Sequence, residues 1–550
     1  MPPIDDPLEL TRAALVGRRA WLVGGAVRDR LLRAGGTGGS RSASKATAGR
    51  DKAIAGRELE GSRQPGVADF DVVLDGEPRD AARALARAAG RYATGGAAAF
   101  ALSEEYGGWR VVDRNGAWQV DFERLRGATL EEDLALRDFT VNAIAEPLGE
   151  TGAARVEAID PLGGLQDLAQ RRLREAGPRA FAEDPLRVLR LVRLAVELDL
   201  HPDATTCTRA RAHAAGLREV AGERVLMELC RIVDTPQAVR GLELMGAVGA
   251  TAVVLPELEA LRGDRSEIGR SRETRAFSAS PRFGQQRRYH HLDVYGHTLE
   301  VLEQVIALQR EPALVGVASE TARALAAVLE EPLADGLTRG GALRWGALLA
   351  ETGPTDGRVA FSGHDAVGAQ VAGEVLGRLR ASGRLRAHVA ALVRQRLRLG
   401  LLVHEPQPLA RRSVFAYLRA CEPVEVDVTL LSVADRLAGL NGDAGRTGDA
   451  GRTGDTRRRR ASPGFGRGER ARESIDAHMR LAREMLVDAL GWHEGGPPRP
   501  LLRGNELTSE LGVPPGPRLG ELLEELLEAQ YAGEVSTRED ALAYARAHAG

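Results

Sequence analysis

Three stretches of this sequence cannot join a hydrophobic core, and they limit what the remainder can fold into. Residues 33–66 are mostly Gly, Ala, Ser and Arg with scattered charge, and residues 263–288 are polar and rich in Arg and Ser. Residues 441–470 hold the near-repeat GDAGRTGDAGRTGD, followed by a run of arginines. None has apolar residues at helical or strand spacing, so none buries enough surface to offset chain entropy. The seven-residue repeat has no apolar seam, which excludes a coiled coil. What lies between must fold as several domains, because 550 residues exceed a single core. Residues 15–150 mix short apolar strands (AWLV, FDVVL, WRVV, WQVDF) with the helical pattern PRDAARALARAAG, which predicts a small α/β head carrying the 33–66 insertion. Residues 151–262 predict a helical neck, 263–288 a linker, 289–440 a helical domain, 441–470 a second linker and 471–550 a helical tail. The expected fold class is α+β, with a mixed sheet and helices in the head and an all-helical neck, body and tail.

Charge narrows the function classes. With 75 basic and 77 acidic residues the formal net charge is −2, which excludes a uniformly basic nucleic-acid coat but not local basic patches. An aromatic content of 4% is thin for a binder that stacks successive bases. Cys207, Cys230 and Cys421 form no CxxC pair, so a disulfide framework and a thiolate zinc site are both excluded. The opening MPPIDDPLEL lacks a signal-peptide pattern, and no apolar run approaches the ~18 residues a bilayer span needs. A soluble cytoplasmic protein without a membrane partner is expected. The sequence carries no signal of oligomeric state.

Six local patterns carry chemistry. AWLVGGAVRDRLL reads as strand, Gly-Gly turn and helix. Gly24 and Gly25 permit close backbone approach, the helix N-terminus offers N–H groups to a phosphate, and Arg28 could clamp the same anion. Asp69-Phe70-Asp71 opens the apolar run Val72-Val73-Leu74. Residues i and i+2 of a strand face the same way, so both carboxylates point together. They repel unless a cation lies between them, and hard oxygens suit Mg²⁺. Asp121, in WQVDF, is a candidate third acidic group on the same sheet. Further on come RDFTVNA (137–143), DPLGG (160–164), EDPLRVLR (183–190) and ERV (223–225).

Taken in order, GGAVRD, DFD, RDFTVNA, DPLGG, EDPLRVLR and ERV resemble the class II tRNA nucleotidyltransferase and poly(A) polymerase family over residues 20–262. The tail LLRGNELTSELGVPPGPRLGELLEELLE is similar to the end of bacterial CCA-adding enzymes. The resemblance implies a nucleotidyltransferase that adds C and A to the tRNA 3′ end from CTP and ATP, with Mg²⁺ held by Asp69 and Asp71 and pyrophosphate released. It implies that Gly24, Gly25 and Arg28 meet the triphosphate, and that Arg137, with Asp138 beside it, helps bind the nucleotide. Asp184, Arg187, Arg190 and Arg193 would form the nucleotide-recognition helix. Glu223 and Arg224 would buttress it, and residues 160–164 would hinge head to neck. Two departures stand out. Leu136 replaces the first of two arginines common before the Asp of RDFT, and the 33–66 insertion stands where relatives have a short connection.

Hydrogen-bond chemistry argues for the same helix. Asp184 and Arg187 are three apart, hence neighbours on a helical surface. Cytosine and adenine each carry an amino donor beside a ring-nitrogen acceptor, which one carboxylate and one guanidinium can read together. Uracil and guanine put a carbonyl where the amino group would be. An ordinary surface ion pair is the plainer alternative. Arg190 and Arg193 continue the spacing but drift around the helix, so a phosphate contact is open to Arg193.

Residues 289–440 resemble a His-Asp phosphohydrolase domain through His297, His364, Asp365 and Asp435. The adjacent His-Asp pair expected after GALRWGALL is replaced by Ala350-Glu351, so a degenerate, non-hydrolytic domain is expected. Rival readings are a CC-only or A-only adding enzyme, a poly(A) polymerase or, more distantly, a metal-dependent phosphohydrolase with an RNA-binding head.

Overall fold

The computed structural model describes residues 6–35, 68–92, 96–102, 107–149, 157–262, 294–353, 364–448 and 465–548. The 263–288 stretch and nearly all of the 33–66 insertion lie outside the described residues. The chain divides into two compact units, Met1–Val254 and Leu255–Gly550.

The first unit opens with helix α1 (Pro7–Ala14), whose first turn is capped by the Asp6 carboxylate. Its sheet has six strands: β1 (Ala20–Val23), β2 (Ala68–Leu74), β3 (Ala97–Ala101), β4 (Trp109–Asp113), β5 (Trp118–Arg124) and β6 (Ala145–Pro147). They lie in the order β3-β4-β5-β2-β1-β6, with β2 and β5 parallel and the other pairs antiparallel, so the sheet is mixed. Helix α2 (Gly25–Gly35) leaves β1 directly, and α3 (Pro78–Tyr92) buries Ala81, Leu85 and Ala89 at helical spacing. Strand β2 is graded. Val72, Val73 and Leu74 are buried, while Ala68 to Asp71 are only partly covered, which leaves its acidic end open.

The helical neck follows as α4 (Leu130–Ala135), α5 (Gly164–Ala169), α6 (Ala180–Glu183), α7 (Arg187–Glu197), α8 (Ala204–His213), α9 (Gly222–Asp234) and α10 (Ala238–Ala247). The α7 helix is central. Val188, Leu189, Leu191, Val192, Leu194, Ala195 and Val196 are all buried, leaving little of its circumference to solvent.

In the second unit, α11 (Val294–Arg310), α12 (Ser319–Glu330), α13 (Arg339–Leu349), α14 (His364–Arg378), α15 (Gly383–Gln395), α16 (Arg411–Cys421), α17 (Glu425–Gly448) and α18 (Phe465–Gly495) form the body. One core joins Val305, Leu343, Leu392, Leu418, Leu430 and Leu486. The expected 441–470 linker is therefore shorter than its composition indicates, since α17 runs on to Gly448 and α18 begins at Phe465. Residues 479–492 also belong to the body core rather than to a separate tail. The tail proper is α19 (Gly504–Leu511), α20 (Pro517–Tyr531) and α21 (Arg538–His548) around Leu507, Leu522, Leu526 and Ala541. No helix among the described residues is long and apolar enough to cross a membrane.

Candidate active site

The strand register brings the acidic residues into a row. Val23 of β1 faces Asp71 of β2, Asp71 faces Asp121 of β5, and Asp121 faces Arg110 of β4. Asp69 shares the face of Asp71 two residues earlier. Asp121 does not stand as an open carboxylate. Arg110 Nε and Nη2 donate to its two oxygens, at 2.6 Å each, a bidentate fork. Asp121 first, against burial, and then Asp69 and Asp71 raise the affinity of Arg110 for its proton. The four side chains thus form one electrostatic group. Among the described residues no group of three or more His, Cys, Asp or Glu side chains converges as a metal cage.

Gly24 sits at a close approach that suits glycine, for two reasons. Its φ of +75° is left-handed, and a Cβ there would lie 3.4 Å from Asp71 Oδ2 and 3.6 Å from Arg137 Nη1. The turn, the carboxylate and the guanidinium are in contact range. Beside the carboxylate and the guanidinium opens a cleft of about 140 Å³ lined by Asp71, Asp121, Glu123, Arg126 and Arg137. Asp133 of α4, with a fully buried side chain, organises the basic wall. It accepts from the Arg126 backbone N–H at 3.1 Å and from Arg137 Nε and Nη2 at 3.3 and 3.2 Å.

Arg28 is turned inward. Its guanidinium donates to Asn142 Oδ1 at 2.6 Å and pairs with Asp29, so the expected direct clamp on a phosphate is here an internal tie. Asn142 Nδ2 donates to Asp138 Oδ1 at 3.0 Å, and Asp138 pairs with Arg190 at 2.6 Å. Burial raises the Asp138 pKa, but Arg190, Asn142 and the Phe139 N–H outweigh it and hold it at about 2. Asp138 and Arg190 therefore link the 137–143 segment to α7 and do not line the cleft.

The recognition helix differs from its expected form. Asp184 precedes α7 in extended conformation, with φ −145° and ψ 101°, so Asp184 and Arg187 are not neighbours on one helical surface. Pro185 explains this, because the residue before a proline is pushed out of the helical region. Asp184 Oδ1 accepts the Leu186 N–H at 3.1 Å, and Oδ2 pairs with Arg224 at 2.9 Å. Arg224 thus ties down this segment, and among the described residues no hydrogen bond or ion pair joins Glu223 to it. Arg187 donates to the carbonyls of Leu136, Arg137 and Ala180, and burial lowers its pKa. Arg193 is buried with Glu228 at 2.7 Å and Glu197 at 3.3 Å, so it makes no phosphate contact. Its drift around the helix carries it into the interior.

In the second unit His297 Nε2 lies 3.0 Å from Asp435 Oδ1. Glu351 pairs with Arg396, whose Nε lies 3.8 Å from Asp365 Oδ1. A guanidinium occupies the acidic cluster. His364 begins α14, and its side chain lies outside the described ones.

Sequence reasoning missed Arg110, Arg126 and Asp133. Nothing local marks them, since their roles come from strand register and from a helix folding back on the sheet. The chain matches the family described as "Poly A polymerase head domain" over residues 49–174, and "Probable RNA and SrmB- binding site of polymerase A" over residues 199–261. It is 34% identical over 490 residues to the A-adding tRNA nucleotidyltransferase of Deinococcus radiodurans, covering 87% of this chain and 90% of that one. To the CC-adding tRNA nucleotidyltransferase of Thermus thermophilus it is 31% identical over 455 residues, covering 82% and 84%. Among solved structures, a CCA-adding enzyme with ATP superposes with a TM-score of 0.57 at 16% identity over 98% of this chain and 96% of that one. The Thermotoga maritima CCA-adding enzyme complexed with tRNA gives 0.55 at 16% identity over 99% and 96%. At those identities the structures establish the shared fold.

Proposed function

The chain belongs to the tRNA nucleotidyltransferase and poly(A) polymerase family, and from that premise we propose that it adds C and A residues to the tRNA 3′ end from CTP and ATP. The observation that carries this reading is the Asp69–Asp71 pair beside the Gly24 turn and Arg137. The terminal ribose hydroxyl attacks the α-phosphorus, a new P–O bond forms, and the bond to the β-phosphate oxygen breaks to release pyrophosphate. Arg137 and Arg126, on the basic wall of the cleft, receive the phosphates, with the backbone around Gly24 and Gly25. Arg28 acts indirectly, fixing Asn142 against that turn. Asp184 and Arg187, held by Arg224 and by three carbonyls, present a carboxylate and a guanidinium to the base.

The donor set fits Mg²⁺, since Asp69 and Asp71 put two hard carboxylates on one strand face, at the partly open end of β2. When bound, Mg²⁺ supplies Lewis-acid neutralisation of the triphosphate and favours ionisation of the attacking hydroxyl. Cytoplasmic work suits the three free cysteines. Two relatives that match most of the chain are a CC-adding and an A-adding enzyme, which favours single-step addition as the second reading.

The test is product sequencing from tRNA lacking CCA and from tRNA lacking only the final A, with CTP and ATP offered singly and together. Complete CCA on the first substrate is expected. Incorporation of A alone, onto the second substrate only, would replace this reading with A-only addition. Asp69→Asn or Asp71→Asn should reduce incorporation to background at saturating Mg²⁺ while leaving tRNA affinity within about twofold, because phosphate and backbone contacts dominate RNA affinity.

A further inference from the structure

We propose that Arg110 is a positioning residue that keeps Asp121 out of the divalent-cation site, so that the site is built on Asp69 and Asp71 alone. This rests on the reading of those two carboxylates as the cation ligands. The fork of Arg110 engages both oxygens of Asp121 at 2.6 Å. Strand pairing then places Asp121 directly beside Asp71. A third carboxylate in that position would ordinarily complete a cation site. Here its two oxygens already serve two N–H donors in a fixed planar geometry. Nor does any three-carboxylate cage converge among the described residues. The pairing is also sheltered: the Asp121 side chain is 16% exposed and that of Arg110 31%.

The arrangement has a functional consequence. A site of three open carboxylates would bind a divalent cation tightly even without substrate. A site with one of them neutralised holds the cation weakly until a nucleotide's phosphates add oxygen ligands. Arg110 thereby couples cation loading to nucleotide loading.

Mn²⁺ binding to the full-length protein, without nucleotide, followed by the paramagnetic resonance of the free ion, tests this directly. Arg110→Gln should tighten Mn²⁺ binding about tenfold, the scale on which changes around metal ligands act. That gain should disappear in Arg110→Gln/Asp121→Asn. Asp121→Asn alone should weaken binding by no more than about threefold, which keeps the idea testable if Arg110→Gln folds poorly. Unchanged or weaker binding in a folded Arg110→Gln protein would overturn the proposal. So would a gain that survives removal of Asp121, or a tenfold loss in Asp121→Asn alone. Asp71→Asn separates the underlying reading: if it leaves Mn²⁺ binding intact, the carboxylate pair is not the cation site and both inferences fall. If it abolishes binding while Arg110→Gln changes nothing, only the role of Arg110 is lost.

Discussion

Asp184 shows how one side chain can be read correctly for its chemistry and incorrectly for its setting. The spacing to Arg187 predicts two helical neighbours, but Pro185 ends that geometry and leaves Asp184 extended, with Arg224 as its ion partner. The carboxylate is nonetheless fixed, by the Leu186 N–H on one oxygen and Arg224 on the other. A fixed acceptor can discriminate an amino group from a carbonyl, because a mismatch leaves its lone pairs facing another acceptor. Asp184→Ala should therefore lose about 1–3 kcal/mol of discrimination, roughly five- to hundredfold, against UTP and GTP. Ratios of kcat/KM for the four triphosphates measure it. Arg224→Ala should move the same ratios in the same direction by less, since it loosens the acceptor without removing it. Full CTP and ATP selectivity in Asp184→Ala would show that the base is read elsewhere.

Between elements, the segment carrying Asp138 and Asn142 is held by a close approach that only glycine permits. A Cβ on Gly164, the first residue of α5, would lie 2.2 Å from the Thr140 carbonyl oxygen. The Asp160 carboxylate fixes the same turn by accepting the Gly164 and Leu165 N–H groups at 2.7 and 2.8 Å. Gly164→Ala should thus destabilise the first unit by about 1–3 kcal/mol, the usual cost of overpacking, visible as a lower melting temperature and a weaker KM for both triphosphates. An unchanged melt would show that the segment can retreat freely. DPLGG was legible as a unit for this reason: its Asp, Pro and paired Gly are turn chemistry, and turn chemistry is local. The four apolar strands were legible too, from runs such as Val72–Leu74. Strands β3 and β6 were not. AAAFA lacks the β-branched residues that mark a strand, and AEP is too short to show any period. The Arg110–Asp121 fork was equally hidden, because register between strands leaves no trace in spacing along one of them.

At the scale of the molecule, the residues assigned to chemistry all lie in the first unit, and the second carries ion pairs around its apolar core. His297 and Asp435 form one such pair. Burial lowers the His297 pKa, but Asp435, Glu351 and Glu300 outweigh it and raise it above the ordinary 6.5, while Asp435 is held at about 2. A raised histidine contributes stability that is complete below pH 6.5 and is lost as pH rises through its folded-state value. The melting-temperature gap between wild type and His297→Asn should accordingly be full below pH 6.5 and close as pH rises through the raised folded-state value; a gap independent of pH would exclude the pair as an ionic one. Arg396 matters more for function. Its guanidinium pairs with Glu351 and faces Asp365. A fixed cation among those carboxylates satisfies them electrostatically and competes with any divalent ion for the same oxygens. Purified protein should therefore show no turnover of 2′,3′-cyclic nucleotides or phosphomonoesters with Ni²⁺, Mn²⁺ or Co²⁺. Arg396→Ala should lower the melting temperature, because the carboxylates around it lose their counter-charge at a cost of about 3–5 kcal/mol. Metal-dependent hydrolysis by wild type that disappears in His297→Ala would show that the cluster opens to metal despite Arg396.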